Sequence, residues 1–297
     1  WTFGVTALGS LIVGTVAWIQ RSRSQTELQI RDGFAIVAMA WVVLSLIGAL
    51  PFVMGGVLES YTDAFFETMS AFTTTGSTIF GGAGNPDIED VPHAFLFWRS
   101  LAHWIGGMGI IVLTLAILPL LGVGGMQLYK AEVPGPSADK LTPRVQETAK
   151  RLWMIYVGIT FVEFLVLLPA MNTFDAINHA FATMATGGFS TKNGSVGQFG
   201  SAYIDWVITI FMFLAGVNFA LHFRMLRGKA ITVFRDTEFR VYVGITLVAT
   251  LLITIGTWAP AMGYLPSYET EGGFLGYATF MESLRYGAFQ ASAIITT

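Results

Sequence analysis

Three tracts of Thr and Gly carry the residues best suited to chemistry in this chain: Phe72-Thr73-Thr74-Thr75-Gly76, Ala185-Thr186-Gly187-Gly188 and Thr296-Thr297. A cation stripped of water needs oxygens arranged around a narrow path. Backbone carbonyls supply them without formal charge. Glycine reaches the backbone angles such a path requires at little steric cost, and a Thr hydroxyl adds an oxygen or braces the loop. Each tract follows a short apolar segment: 63–72, 175–184 and 280–295. These segments end in a partially negative helix C-terminus, which favours a cation just beyond it. The expected candidates for an ion filter are therefore Thr73, Thr74, Thr75, Gly76, Ala185, Thr186, Gly187, Gly188, Thr296 and Thr297.

The elements that hold these tracts are apolar. The chain is 54% hydrophobic and 12% charged, with a mean hydropathy of +0.62. A soluble domain carries about 25% charged residues, so an all-α polytopic membrane protein is expected. Runs near the roughly 20 residues that span a bilayer lie at 1–19, 34–58, 92–121, 152–171, 202–223 and 240–264. The first lacks a charged n-region and a cleavage site, so it reads as a span entered partway and not as a signal peptide. Breaks or kinks are expected at Pro51, at Gly55-Gly56 and at Gly106-Gly107-Met108-Gly109. Arg99, Gly106, Gly107, Gly109 and Asn218 are the pore or gating candidates.

Thirteen of the sixteen Lys and Arg residues fall in three loops, at 21–31, 130–151 and 224–240. All three lie on one face only if the short segments enter and leave by the other, so charge placement predicts re-entry. The basic face is then cytoplasmic, and Glu67, Asp175 and their neighbours make an acidic outer vestibule. The order span, short helix, tract, span occurs twice in full and begins a third time. The expected organisation is an N-terminal extra span and loop (1–32), a first pore repeat (33–123), a cytoplasmic amphipathic linker (124–151), a second repeat (152–229) and an incomplete third (230–297).

Several classes are excluded or disfavoured. No cysteine is present, which removes disulfides and thiol chemistry. No phosphate-binding loop or metal-binding helix motif occurs, so no enzyme activity and no covalently bound cofactor are expected. A net charge of −3 gives no reason to expect a nucleic-acid partner. His93, His103, His179 and His222 lack ligand spacing, and His103 and His222 are expected in interhelical hydrogen bonds. Asn218, four residues before His222, is expected on the same helical face. Arg99 reads as a group that tunes cation access, as a brace bonded to filter-loop carbonyls or as a snorkelling anchor, and Glu163 as either a functional or a packing carboxyl. A secondary transporter with discontinuous helices predicts inverted halves, whereas these units repeat in one orientation.

The tracts at 72–76 and 185–191, with Trp98-Arg-Ser-Leu-Ala-His-Trp-Ile-Gly-Gly-Met-Gly-Ile110 and Gly216-Val-Asn-Phe-Ala-Leu-His-Phe223, resemble the Trk/Ktr/HKT superfamily of potassium transporters. The segment ahead of the first repeat and the loop Ala131-Glu-Val-Pro-Gly-Pro-Ser137, leading into 140–150, look like its TrkH branch. The resemblance implies four repeats around one pore, with K+ as the transported ion held only at the filter residues. In it Gly76 and Gly187 occupy the filter glycine positions. It also implies a bacterial inner-membrane location, a homodimer embedded in membrane lipids, and gating by a cytosolic nucleotide-binding regulatory ring. The third tract here lacks the glycine of the pattern, and the fourth repeat is missing from the sequence.

Overall fold

The computed structural model describes residues 1–20, 30–121, 141–228, 230–261, 277 and 279–296. Among them every regular element is helical. The chain forms two compact units, 1–153 and 154–297.

The first unit holds α1 (Thr2–Gln20), α2 (Ile30–Met54), α3 (Tyr61–Phe72) and α4 (His93–Leu121). At 1.5 Å per residue, α2 and α4, with 25 and 29 residues, exceed the roughly 30 Å of hydrocarbon. The 12 residues of α3 do not. Helix α1 is long and apolar enough to cross and meets the first repeat through Phe3, whose ring lies 5.2 Å from Phe95 and 5.9 Å from Trp98. Pro51 lies inside α2, which continues to Met54 before the turn at Gly55 and Gly56.

Helix α5 (Leu141–Leu167) leads from the first unit into the second. It runs unbroken from Leu141 to Leu167, so residues 141–151 share one helix with the apolar run that follows them. Residues 124–140 of the expected linker lie outside the described residues. The second unit continues with α6 (Thr173–Met184), α7 (Ala202–Gly216), α8 (Phe219–Leu226), α9 (Ala230–Phe234), α10 (Thr237–Ala261) and α11 (Phe280–Thr296).

Two expectations are corrected. The glycine cluster 106–109 does not break its span, because α4 passes through it. Gly106 is instead a close-packing position, where an added Cβ would fall 2.2 Å from the Phe72 carbonyl oxygen. Gly109 similarly admits the Trp41 ring, 2.7 Å from an added Cβ, and Gly107 is half-buried between them. The expected continuous span 202–223 does break. Helices α7 and α8 meet at 98°, and Asn218 is the N-cap of α8, not a residue on one helical face with His222.

That break is stabilised by replacing lost helical hydrogen bonds. The Leu214 carbonyl accepts from the Val217 N–H at 3.2 Å and faces His222 Nε2 at 2.9 Å. The Tyr242 hydroxyl donates to the Phe213 carbonyl at 3.0 Å. Asn218 Oδ1 accepts from the Ala220 N–H at 3.0 Å, while its amide nitrogen donates to the Glu238 carboxylate at 3.3 Å. His222 therefore bonds between helices, as expected.

Candidate functional site: two re-entrant Thr/Gly loops

Both short helices start alike. Ser60 Oγ accepts from the Asp63 N–H, and Asn172 Oδ1 from the Asp175 N–H, so each has a polar N-cap with an acid in its first turn. They also end alike, 112 residues apart. The N–H groups of Thr73, Thr74 and Thr75 donate to the carbonyls of Met69, Ala71 and Ser70. Those of Ala185, Thr186 and Gly187 donate to Phe181, Thr183 and Ala182. The crossed pattern is a Schellman C-cap, whose left-handed residue is usually Gly. Here it is Thr74 (φ 55°) and Thr186 (φ 56°). A β-branched residue in that region is an outlier, and strain of this kind, about 1–3 kcal/mol, concentrates at functional sites.

Two residues later each tract turns left-handed again, at Gly76 (φ 76°) and Gly188 (φ 79°). Gly188, not Gly187, therefore repeats the geometry of Gly76. Among the described residues, the carbonyls of Thr73 to Gly76 and of Thr186 to Gly188 accept no hydrogen bond. A row of unused backbone carbonyls offers oxygens to a cation. The Thr hydroxyls turn away from that task. Thr73 Oγ1 donates to the Met69 carbonyl at 2.7 Å, which leaves it to accept from Thr75 Oγ1, also at 2.7 Å. Thr186 Oγ1 donates to the Ala185 carbonyl.

After each tract the chain returns along its own short helix. The Phe72 end of α3 lies against Gly106 of α4, but Thr78 is back beside Arg99, seven residues or roughly 10 Å nearer the start of α4. Re-entry is thus built into the first unit. In the second, Ser190 returns to His179 and Thr191 to Asp175.

The side chains fixing this return are different in kind. Arg99 Nε donates to Glu67 Oε1 at 2.6 Å and its terminal nitrogen to Thr78 Oγ1 at 3.1 Å. Thr78 Oγ1 donates to the Glu67 carboxylate, which also accepts from the Ile79 N–H at 3.0 Å. The guanidinium sits over the Phe80 ring at 5.1 Å. Arg99 is 2% exposed and Glu67 fully buried. Arg99 therefore braces a tract and is no snorkelling anchor, and Glu67 belongs to that brace and not to an open vestibule. In the second unit, His179 Nδ1 lies 2.8 Å from the Asp175 carbonyl and Nε2 lies 3.0 Å from Ser190 Oγ. The carbonyl only accepts, so Nδ1 carries the proton, and in the neutral ring Nε2 accepts from Ser190. Thr191 Oγ1 donates to Asp175 Oδ1 at 2.6 Å, so the buried Asp175 is also a brace.

The sequence pointed to the tracts and to Arg99 but not to Glu67, Thr78, His179, Ser190 or Thr191 as their supports. The available signal was the repeat itself: Glu67 and His179, and likewise Thr78 and Ser190, stand 112 positions apart. The third tract joins the second within the second unit. Thr186, Gly188 and Thr296 line one cavity of about 200 Å³ with Phe289 and Met212. Thr296 Oγ1 donates to the Ser292 carbonyl at 2.8 Å, as Thr73 does to Met69. Gly216 permits α7 to touch it, since an added Cβ would lie 2.6 Å from Thr296 Cγ2. Thr297 lies outside the described residues. Glu163 is fully buried in α5.

These features define a polytopic helical membrane protein with paired re-entrant loops. The family model described as TrkH, cation transport protein, matches residues 4–257, and the chain belongs to that family. The Trk system potassium uptake protein TrkH of Escherichia coli (strain K12) is 46% identical over 260 residues, which cover 86% of this chain and 53% of that protein. That of Halomonas elongata is 41% identical over 303 residues, covering 100% and 58%. The crystal structure of the potassium transporter TrkH from Vibrio parahaemolyticus superposes with a TM-score of 0.81 at 36% identity, covering 99% of this chain and 56% of that one. The chain spans about half the length of the curated relatives it matches.

Proposed function

We propose that this chain supplies the first part of a potassium-uptake pore. K+ exchanges its water for the carbonyls of Thr73 to Gly76 and of Thr186 to Gly188, with Thr296 and Thr297 beginning a third filter segment. The observation that supports this most directly is the pair of matched tracts whose carbonyls are unused and whose backbone is held strained in the same way. The choice of potassium rests on the names of the relatives. Inward movement of one charge is favourable by about 2.3 kcal/mol per 100 mV of membrane potential, so the potential can drive uptake without a chemical step. The rest of the reading is a homodimer in the bacterial inner membrane, gated by a cytosolic nucleotide-binding regulatory ring.

The test is rubidium uptake by liposomes holding the full-length chain. Flux should be present with the unaltered protein and absent when Gly76 or Gly188 is replaced by Arg. Growth of uptake-deficient cells on limiting potassium should follow the same order. Undiminished flux through Gly188→Arg protein would show that the tracts are not the ion path.

A further inference from the structure

The elbow formed by α8 and α9 carries features that ion conduction does not use. Helix α8 leaves α7 at 98°, held by the His222, Tyr242 and Asn218 bonds, and the inner side of the elbow it forms with α9 is buried at Leu221 and Val233. Its outer side is apolar and exposed: Leu226 is 74%, Ile231 69% and Phe234 62% accessible. A contiguous apolar surface that the chain itself leaves uncovered marks an interaction surface. Basic side chains stand among them, with exposed Arg227, Arg235 and Arg240. The Arg227 guanidinium is held over the Phe223 ring at 4.5 Å, which lays its aliphatic stem along apolar surface and leaves the charge at the edge.

Two short helices set at an elbow after α7, apolar outward and rimmed by arginine, have the makeup of an interfacial lipid-binding element. We propose that the α8–α9 elbow binds anionic phospholipid. Leu226, Ile231 and Phe234 enter the boundary between headgroups and acyl chains, and Arg227, Arg235 and Arg240 hold lipid phosphates. The inference rests on membrane insertion alone and is independent of the filter assignment.

Because this chain has no cysteine, a single reporter can be placed here. Full-length protein carrying Ile231→Cys, otherwise free of cysteine and labelled with bimane, is reconstituted in phosphatidylcholine vesicles with or without phosphatidylglycerol. Nitroxide phospholipids should quench the label. The nitroxide phosphatidylglycerol should quench more than the phosphatidylcholine form, and each of Arg227→Gln, Arg235→Gln and Arg240→Gln should lower that preference by up to about fivefold. Quenching by aqueous iodide instead would mean a solvated elbow. Shielding from both lipid and iodide would mean a protein cover. Lipid quenching with no preference for phosphatidylglycerol would mean apolar insertion without phosphate binding. Each of those three outcomes overturns the proposal.

Discussion

The first and second re-entrant loops share one backbone and have opposite bracing. The N-cap bonds, the crossed C-cap bonds and the left-handed positions repeat at a spacing of 112 residues, yet the first loop is held by a buried ion pair and the second by neutral hydrogen bonds and a buried acid. Glu67 receives its cation from α4, a neighbouring element, through Arg99. His179 and Asp175 both belong to α6 itself. One loop is therefore fastened to a span and the other mainly to its own helix. What the two have in common, unused carbonyls and strained Thr, is what the proposed filter draws on. What they do not share is the means of holding that backbone, which any sufficiently rigid support can provide.

The largest expected effect separates the two braces. Arg99→Leu leaves the Glu67 carboxylate buried without its cation and should destabilise the full-length protein by about 3–5 kcal/mol. His179→Leu removes neutral partners and should cost about 1–3 kcal/mol. Chemical denaturation in detergent micelles measures both. The double variant Glu67→Leu/Arg99→Leu should recover much of the first loss, since an apolar pair of similar volume is often tolerated where an ion pair stood. Equal losses for Arg99→Leu and His179→Leu would show that the ionic brace is no stronger than the neutral one.

A smaller effect tests which glycines correspond. Alanine at Gly76 or Gly188 must adopt a left-handed conformation costing roughly 1–2 kcal/mol, so both substitutions should lower rubidium flux and melting temperature together. Gly187→Ala, at a position without that conformation, should do neither. If Gly187→Ala proved as harmful as Gly76→Ala, the 112-residue register would be wrong by one.

That register also marks how far the sequence could be read. Span lengths, short helices and tract chemistry were legible because hydropathy and Thr/Gly composition are local. The expectation of re-entry from basic loops agrees with the return of Thr78 to Arg99 and of Ser190 to His179. Three readings failed for want of tertiary information. Gly106 looked like a hinge, but glycine serves close approach as readily as bending, and only the Phe72 carbonyl beside it decides between them. The run 202–223 looked continuous because Tyr242, which satisfies the broken helix end, comes from α10, and His222 reaches the Leu214 carbonyl only through the bend itself. Gly187 looked like the partner of Gly76 because Gly-Gly offers two choices and composition does not specify φ. The buried brace of Glu67 was hidden among acidic residues that read as surface.

The smallest effect concerns Thr74 and Thr186. Glycine in their place relieves the left-handed strain of a β-branched residue, but it also loosens the unfolded chain, so the net gain in stability should not exceed about 1 kcal/mol. The two sites should not respond equally in function. Thr186→Gly removes a hydroxyl bonded only to the adjacent Ala185 carbonyl in a loop fastened mainly to its own helix. Thr74→Gly acts in a loop that Arg99 and Glu67 hold from outside. Discrimination between rubidium and sodium in liposome flux should therefore fall more for Thr186→Gly than for Thr74→Gly, with melting temperature unchanged or slightly raised in both. The reverse order would mean that the strained threonines, and not the braces behind them, fix the carbonyls in place.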